Sequence, residues 1–252
     1  MTDSQEEKPF EDTYSTPDVP RPASDPTPMA PSIEDVLRDA TPEFRPCPEC
    51  GDMTAGRGRC WVCDQKRERK RKARETTELA VPAMFAWSRF DAPELAQRCK
   101  CSPEAFGRAL GAVACQRVVI CGPSGYGKTS IAVAMLRAWA EQVGYKFAQP
   151  PVFYFAIDLA SARSRERFGR EAPDVEAAMA APLLVLDDLG TDAALATSAV
   201  TDVIFKRHAE ARATWITTWM TKAEMRSRYG EGITRRVLED ARIIDLGANR
   251  AA

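Results

Sequence analysis

Residues 122–130 read "GPSGYGKTS", and the types and spacing in this stretch suit one piece of chemistry, the holding of a polyphosphate. Gly122, Gly127, Lys128 and Thr129 fall in the order G-x-x-x-x-G-K-[ST], with Pro123, Ser124, Gly125 and Tyr126 between them and Ser130 after. Glycines let the backbone wrap so that successive N–H groups point at phosphate oxygens, the Lys128 ammonium reaches the β and γ phosphates, and the Thr129 hydroxyl turns toward Mg²⁺. The motif demands a strand before it and a helix after it. Here "RVVIC" precedes and the helical pattern "TSIAVAMLRAWAEQ" follows.

A second constellation lies 59 positions beyond Lys128, where "LLVLDDLG" ends an apolar strand on Asp187 and Asp188. Paired acids at a strand end are ordinarily a solvated turn. Beside a phosphate loop they read as the acidic partner, with Asp187 in the Mg²⁺ shell and Asp188 orienting the attacking water. The expected cofactors are therefore ATP and Mg²⁺, with the triphosphate seated where the first and third strands of the nucleotide domain meet.

The third constellation is C-x₂-C-x₉-C-x₂-C, formed by Cys47, Cys50, Cys60 and Cys63. Four thiolates close a tetrahedron around Zn²⁺ and leave no position for substrate, so such a site is structural. Disulfides are the competing use of these cysteines, and a cytosolic setting favours the metal. "KRERKRKAR" (66–74) follows directly. It reads either as a solvated helical face or, beside a zinc module and Trp61, as an electrostatic footprint for nucleic acid. Cys99, Cys101, Cys115 and Cys121 show no knuckle spacing and read as inert thiols, and His208 reads as a surface or packing residue.

The elements that must position these groups follow from periodicity. Runs at 117–122, 152–157, 182–188, 214–218 and 242–246 are short and rich in β-branched residues, with helix-like segments between them. This alternation predicts an α/β fold, a parallel sheet covered by helices. Residues 80–116 read as helical with a loop near "CKCSPEAF". Residues 1–31 hold seven prolines among acidic and hydroxyl side chains and predict a disordered tail. "SIEDVLRDA" (32–40) carries a capping box and one apolar face, a short docking helix or nothing stable. The division expected is an acidic tail over 1–40, a zinc module with a basic linker over 41–79 and an ATPase domain over 80–252.

A net charge of -1 conceals an asymmetry, because residues 1–40 hold ten acidic and three basic side chains and residues 45–74 hold ten basic and four acidic ones. No run approaches the ~18 apolar residues of a membrane helix, and the acidic N-terminus is unlike a signal peptide. A cytoplasmic protein without membrane contact is expected.

Taken together, "CGPSGYGKTSIAVAML", "LLVLDDLGTD" and "TWITTWMTKAEMRSRYGEGITRRVLE" resemble the DnaC/IstB-like branch of the AAA+ ATPases over roughly residues 85–250. That branch includes bacterial and phage loaders of the replicative helicase, many with an N-terminal cysteine cluster. The resemblance implies ATP held between self-associated subunits, with Arg236, or the adjacent Arg235, reaching a neighbour's γ-phosphate. It implies a replicative hexameric DNA helicase and single-stranded DNA as partners. Arg163, Arg165, Arg167 and Arg170 stand where related proteins track single-stranded DNA, or are a solvated face. One departure is Trp219, at a strand end where the family usually has Asn, so that Thr217 or Thr218 replaces the missing polar group, or the register is shifted by one. A transposition helper ATPase and a nucleotide-sensing adaptor with little hydrolysis are the other functions compatible with the sequence.

Overall fold

The computed structural model describes residues 44–247 apart from 56–57, 101, 167–168 and 193–196. The expected acidic tail and the helix expected at 32–40 lie outside the described residues. The chain enters through a small antiparallel hairpin, β1 (Phe44–Pro46) and β2 (Met53–Ala55), and then a 20-residue helix, α1 (Trp61–Ala80). Two short helices follow, α2 (Pro93–Arg98) and α3 (Pro103–Gly111). The segment expected to be helical over 80–116 is therefore broken. Its prolines are the cause, since Pro93 and Pro103 each open a helix, where a missing N–H costs nothing, and Pro82 leads only into a single 3₁₀ turn.

The nucleotide domain proper alternates β3 (Arg117–Cys121), α4 (Lys128–Gln142), β4 (Val152–Phe155), α5 (Ala156–Ala162), α6 (Pro173–Ala180), β5 (Leu183–Leu189), α7 (Thr197–Ala209), β6 (Ala213–Thr218), α8 (Lys222–Leu238) and β7 (Arg242–Asp245). The five core strands form a parallel sheet in the order β4-β5-β6-β3-β7. Strands buried on both faces explain the unbroken apolar runs: Leu183, Leu184, Val185 and Leu186 have no exposed surface. The order also corrects one expectation. The strand before the phosphate loop, β3, does not adjoin the acidic strand, β5, because β6 lies between them and adds its own side chains to the site.

Helix α4 is enclosed on nearly every side, with Ile131, Val133, Met135, Leu136 and Trp139 all buried, so it needs a cover on the face away from the sheet. Helix α1 supplies part of that cover. Lys70 lies 5.3 Å from the Tyr145 ring centre, Arg74 is 3.1 Å from Glu141, and Glu78 takes a two-pronged contact from Arg137 at 2.7 and 2.9 Å. Each step of four residues up α1 matches a step of four down the α4 side, one turn of each, so the helices run antiparallel. The basic run expected as a linker is thus a packed helix, and its first turn, with the cysteine hairpin, extends past the C-terminal end of α4, away from the phosphate loop.

Candidate functional site

The phosphate loop joins the end of β3 to the start of α4, and its backbone is one that L side chains rarely adopt. Gly122 has φ +143° and Gly127 has φ +86°, and a Cβ on Gly127 would lie 2.3 Å from the Cys99 sulfur. Buried Cys99 therefore backs the loop, a position its spacing in the sequence does not reveal. Lys128 is largely buried and donates to the Gly122 and Pro123 carbonyls at 3.0 and 3.1 Å, curling over the loop that it would share with phosphate. Burial pushes its pKa down, while Asp188 and Asp187 pull it back up.

Asp187 has no exposed surface, and both carboxylate oxygens accept hydrogen bonds: one from Thr129 at 2.9 Å and the other from Thr217 at 2.6 Å. Three residues far apart in the chain meet here, from the start of α4 and the C-terminal ends of β5 and β6. Desolvation raises the Asp187 pKa to about 6 against those hydrogen bonds. Past Asp187 the register of β5 on β6 shifts, with Leu186 opposite Ile216 but Leu189 opposite Thr218. Asp188 is in the bulge at φ 54°, and its N–H donates to the Thr217 hydroxyl at 2.9 Å. Such a bulge re-aims a side chain at the strand end. Thr129 and Asp187 are oxygen donors in contact, the arrangement a hard cation such as Mg²⁺ requires.

Of the two threonines that could stand in for the missing Asn, Thr217 touches the acidic pair, whereas the Thr218 hydroxyl turns away to the Leu189 carbonyl at 2.7 Å. Trp219 is half exposed, and its indole nitrogen would be 3.3 Å from a Cβ on Gly190, beside the end of the acidic strand. Just beyond, fully buried Asp192 receives the Tyr229 hydroxyl and sits 3.7 Å from Arg228, both at the kink that Gly230 puts into α8. The sequence reading missed this tie between the acidic strand and the tyrosine-glycine turn.

Arg236 does not approach the phosphate loop of its own chain. It donates to the Gly232 carbonyl at 2.8 Å, stacks 4.3 Å over Phe205 and shares a cleft with Arg117 and Thr214, near the starts of β3 and β6. That is the opposite end of the sheet. Among the arginines expected to track DNA, Arg163 is held by Glu171 and Asp202 at 2.7 and 2.6 Å, and Arg165 approaches Asp174 at 3.9 Å. Arg170 is exposed, and Arg167 lies outside the described residues.

At the far end of the molecule the sulfurs of Cys47, Cys50, Cys60 and Cys63 all lie within 4.8 Å of one another. Zn–S bonds of ~2.3 Å in a tetrahedron require sulfurs about 3.8 Å apart, so the cluster fits that ion. The Cys60 N–H at 3.4 Å from the Cys47 sulfur helps lower that thiol to about 6, while hydrogen bonding with the Cys50 thiol pushes Cys63 up. Four crowded thiols cannot all ionise without a cation among them.

A glycine-wrapped loop and an acidic strand end, on a parallel sheet with one strand inserted between them, define a P-loop NTPase of the AAA+ type. Residues 110–247, more than half of the chain, match the IstB-like ATP binding protein family. The chain belongs to that family. Its fold is similar to the crystal structure of the DnaC helicase loader, with a TM-score of 0.51 and 22% identity over 62% of this chain and 99% of that one. Looser overlays, with TM-scores of 0.48 and 0.46, are found with DnaI (17% identity; 57% and 83% of the two chains) and with a putative primosome component from Streptococcus pyogenes serotype M3 (23%; 59% and 81%). At these identities the likeness is one of fold. No curated protein sequence matches significantly. Among the described residues no helix is long and apolar enough to cross a membrane.

Proposed function

We propose that this protein is an ATPase of DNA replication that delivers a hexameric replicative helicase onto single-stranded DNA. The observation that carries the ATPase is the 2.9 Å contact between Thr129 and Asp187, which joins the phosphate loop to the acidic strand through the two oxygens a nucleotide-bound Mg²⁺ needs. In this reading the loop amides and Lys128 hold the β and γ phosphates, and Asp188 orients the attacking water. Thr217 keeps the acidic pair in place. Arg236, remote from its own loop, serves a neighbour's nucleotide, which requires self-association and is worth ~10³–10⁵ in rate where such arginines act. Fold likeness to the DnaC helicase loader supports the choice of partner. The cysteine module, on residues 41–79, is the recruiting end, and residues 80–252 are the motor.

The test is affinity capture of the full-length protein from its native cell, together with ATP hydrolysis measured with and without single-stranded DNA, using Lys128→Ala as the blank. A hexameric helicase in the captured material and turnover above the blank are expected. Wild-type turnover equal to the blank under both conditions would refute the enzyme. A transposition helper is the second reading, favoured by the family match over residues 110–247, and a captured transposase would select it.

A further inference from the structure

Between α1 and the turn after α4 lies a groove of about 530 Å³ whose walls combine cations with an aromatic shelf. Arg69 and Lys72 line one wall, and Tyr145, Lys146 and Phe147 line the other. Glu75 is the one carboxylate among the described lining residues, and Arg71 holds it at 2.7 Å. Arg69 has no ionic partner among the described residues, nor do Lys66 and Arg67 one turn back. Phe147 is 49% exposed and rests one face on buried Trp139, with ring centres 5.7 Å apart and planes 17° from parallel. Tyr145 is flanked by Lys70 and Lys146. Toward the cysteine cluster, Trp61 is 74% exposed and stands eleven residues before Lys72, on the same face of the helix and ~17 Å along it.

We infer that this groove binds a segment of single-stranded DNA, with phosphates along Arg69, Lys72 and Lys146 and bases stacked on Phe147 and, further along, Trp61. Cations that track a backbone beside rigid aromatic faces are the means by which single strands are held without regard to sequence, and paired bases in a duplex cannot present their faces to such a shelf. The inference rests on the reading that the protein acts on single-stranded DNA. It places the contact at the end of the molecule remote from the nucleotide, on the docked helix rather than on the Arg163–Arg170 segment.

The test uses full-length, zinc-replete protein and a fluorescent oligothymidylate, read by anisotropy without nucleotide or helicase, so that a failure of helicase loading leaves its outcome readable. Phe147→Ala is expected to weaken binding roughly tenfold, whereas Phe147→Tyr retains it. Neutralising Arg69, Lys72 and Lys146 together to Gln is expected to flatten the dependence of log affinity on log salt by about 0.7 per charge removed. Arg74→Gln, on the same helix but paired with Glu141 and outside the groove lining, is expected to bind as the wild type does. Unchanged melting temperatures separate these effects from unfolding. The inference is overturned by wild-type protein that does not bind the oligonucleotide, by unaltered affinity in both Phe147→Ala and the triple variant, or by equal losses in Arg74→Gln or on duplex DNA of the same length.

Discussion

The two ends of the sheet are built by different means. At the phosphate end, function-bearing residues sit in short motifs at the C-terminal edges of strands, and the parallel register brings Thr129, Asp187 and Thr217 within hydrogen-bond reach. At the other end the cysteine quartet is a local motif, but the basic helix that follows it is positioned by contacts such as Glu78 to Arg137, 59 residues apart. One end is set by local sequence and strand order, the other by side chains that meet only after folding. A perturbation should therefore stay at the end where it is made, unless it touches the helix pair that joins them.

The largest separation is expected from Lys128→Ala. Removing the one cation that curls over the loop should lower ATP turnover by roughly 10²–10³-fold, the scale for deleting a charge-stabilising donor. The same variant should keep its zinc, one ion per chain by released-metal titration, and its oligothymidylate affinity. Loss of all three together would show that the ends are not independent.

What the sequence disclosed follows the same division. The loop, the acidic strand and the cysteine quartet were legible because each is a local pattern with a fixed chemical purpose, and the five strands because burial on both faces leaves no polar alternation to confuse them. Three features were not legible. The insertion of β6 between β3 and β5 is a matter of topology, so Thr217 could not be told from Thr218 until the register was seen. Arg137 and Arg207 look like ordinary helix-surface arginines, yet both are buried. Arg207 donates to the Ala178 and Ala181 carbonyls at 2.7 and 2.9 Å, with no carboxylate among its described partners, and burial pulls its pKa down to about 9. Nothing in the helical sequence around it signals that.

Arg137 is where the two ends can be uncoupled from each other by design. It donates to Glu78 and to the Phe85 carbonyl at 3.0 Å, fixing the last turn of α1 and the segment after it onto α4. Arg137→Ala leaves those acceptors without their buried donor and should cost about 1–3 kcal/mol in urea unfolding. Glu78→Gln, more exposed, should cost less than half as much. If Arg137→Ala also lowers oligonucleotide affinity while zinc is retained, the docked helix rather than the cysteine module alone holds the DNA.

Asp187 sharpens the comparison through pH. Its folded pKa of about 6 lies above the ordinary 3.8, so the folded chain holds this proton in a window where the unfolded chain has lost it. The stability tied to the neutral acid is present below pH 4 and is lost as pH rises through 6. Keeping the ion buried then costs ~3 kcal/mol at neutral pH in the absence of a cation. Asp187→Asn should raise nucleotide-free stability by up to that amount at pH 7.5, with the gain fading toward pH 4, and should abolish Mg²⁺-dependent tightening of nucleotide binding. A variant no more stable than wild type at pH 7.5 would mean that the carboxylate is not desolvated as its burial indicates.

The smallest expected effect tests Trp219. Thr217 already fixes Asp187 and the Asp188 backbone, so the acidic pair keeps its geometry whatever stands at 219. What Trp219 cannot do is accept a hydrogen bond from a water, since an indole only donates. Trp219→Asn should therefore speed hydrolysis modestly, about threefold to tenfold by better orientation of that water, and leave nucleotide affinity unchanged. Phosphate release in single-turnover mixtures measures it directly. A rate equal to wild type would assign the orienting role wholly to Asp188 and Thr217, and a slower one would mean that the indole over Gly190 holds the acidic strand end in place.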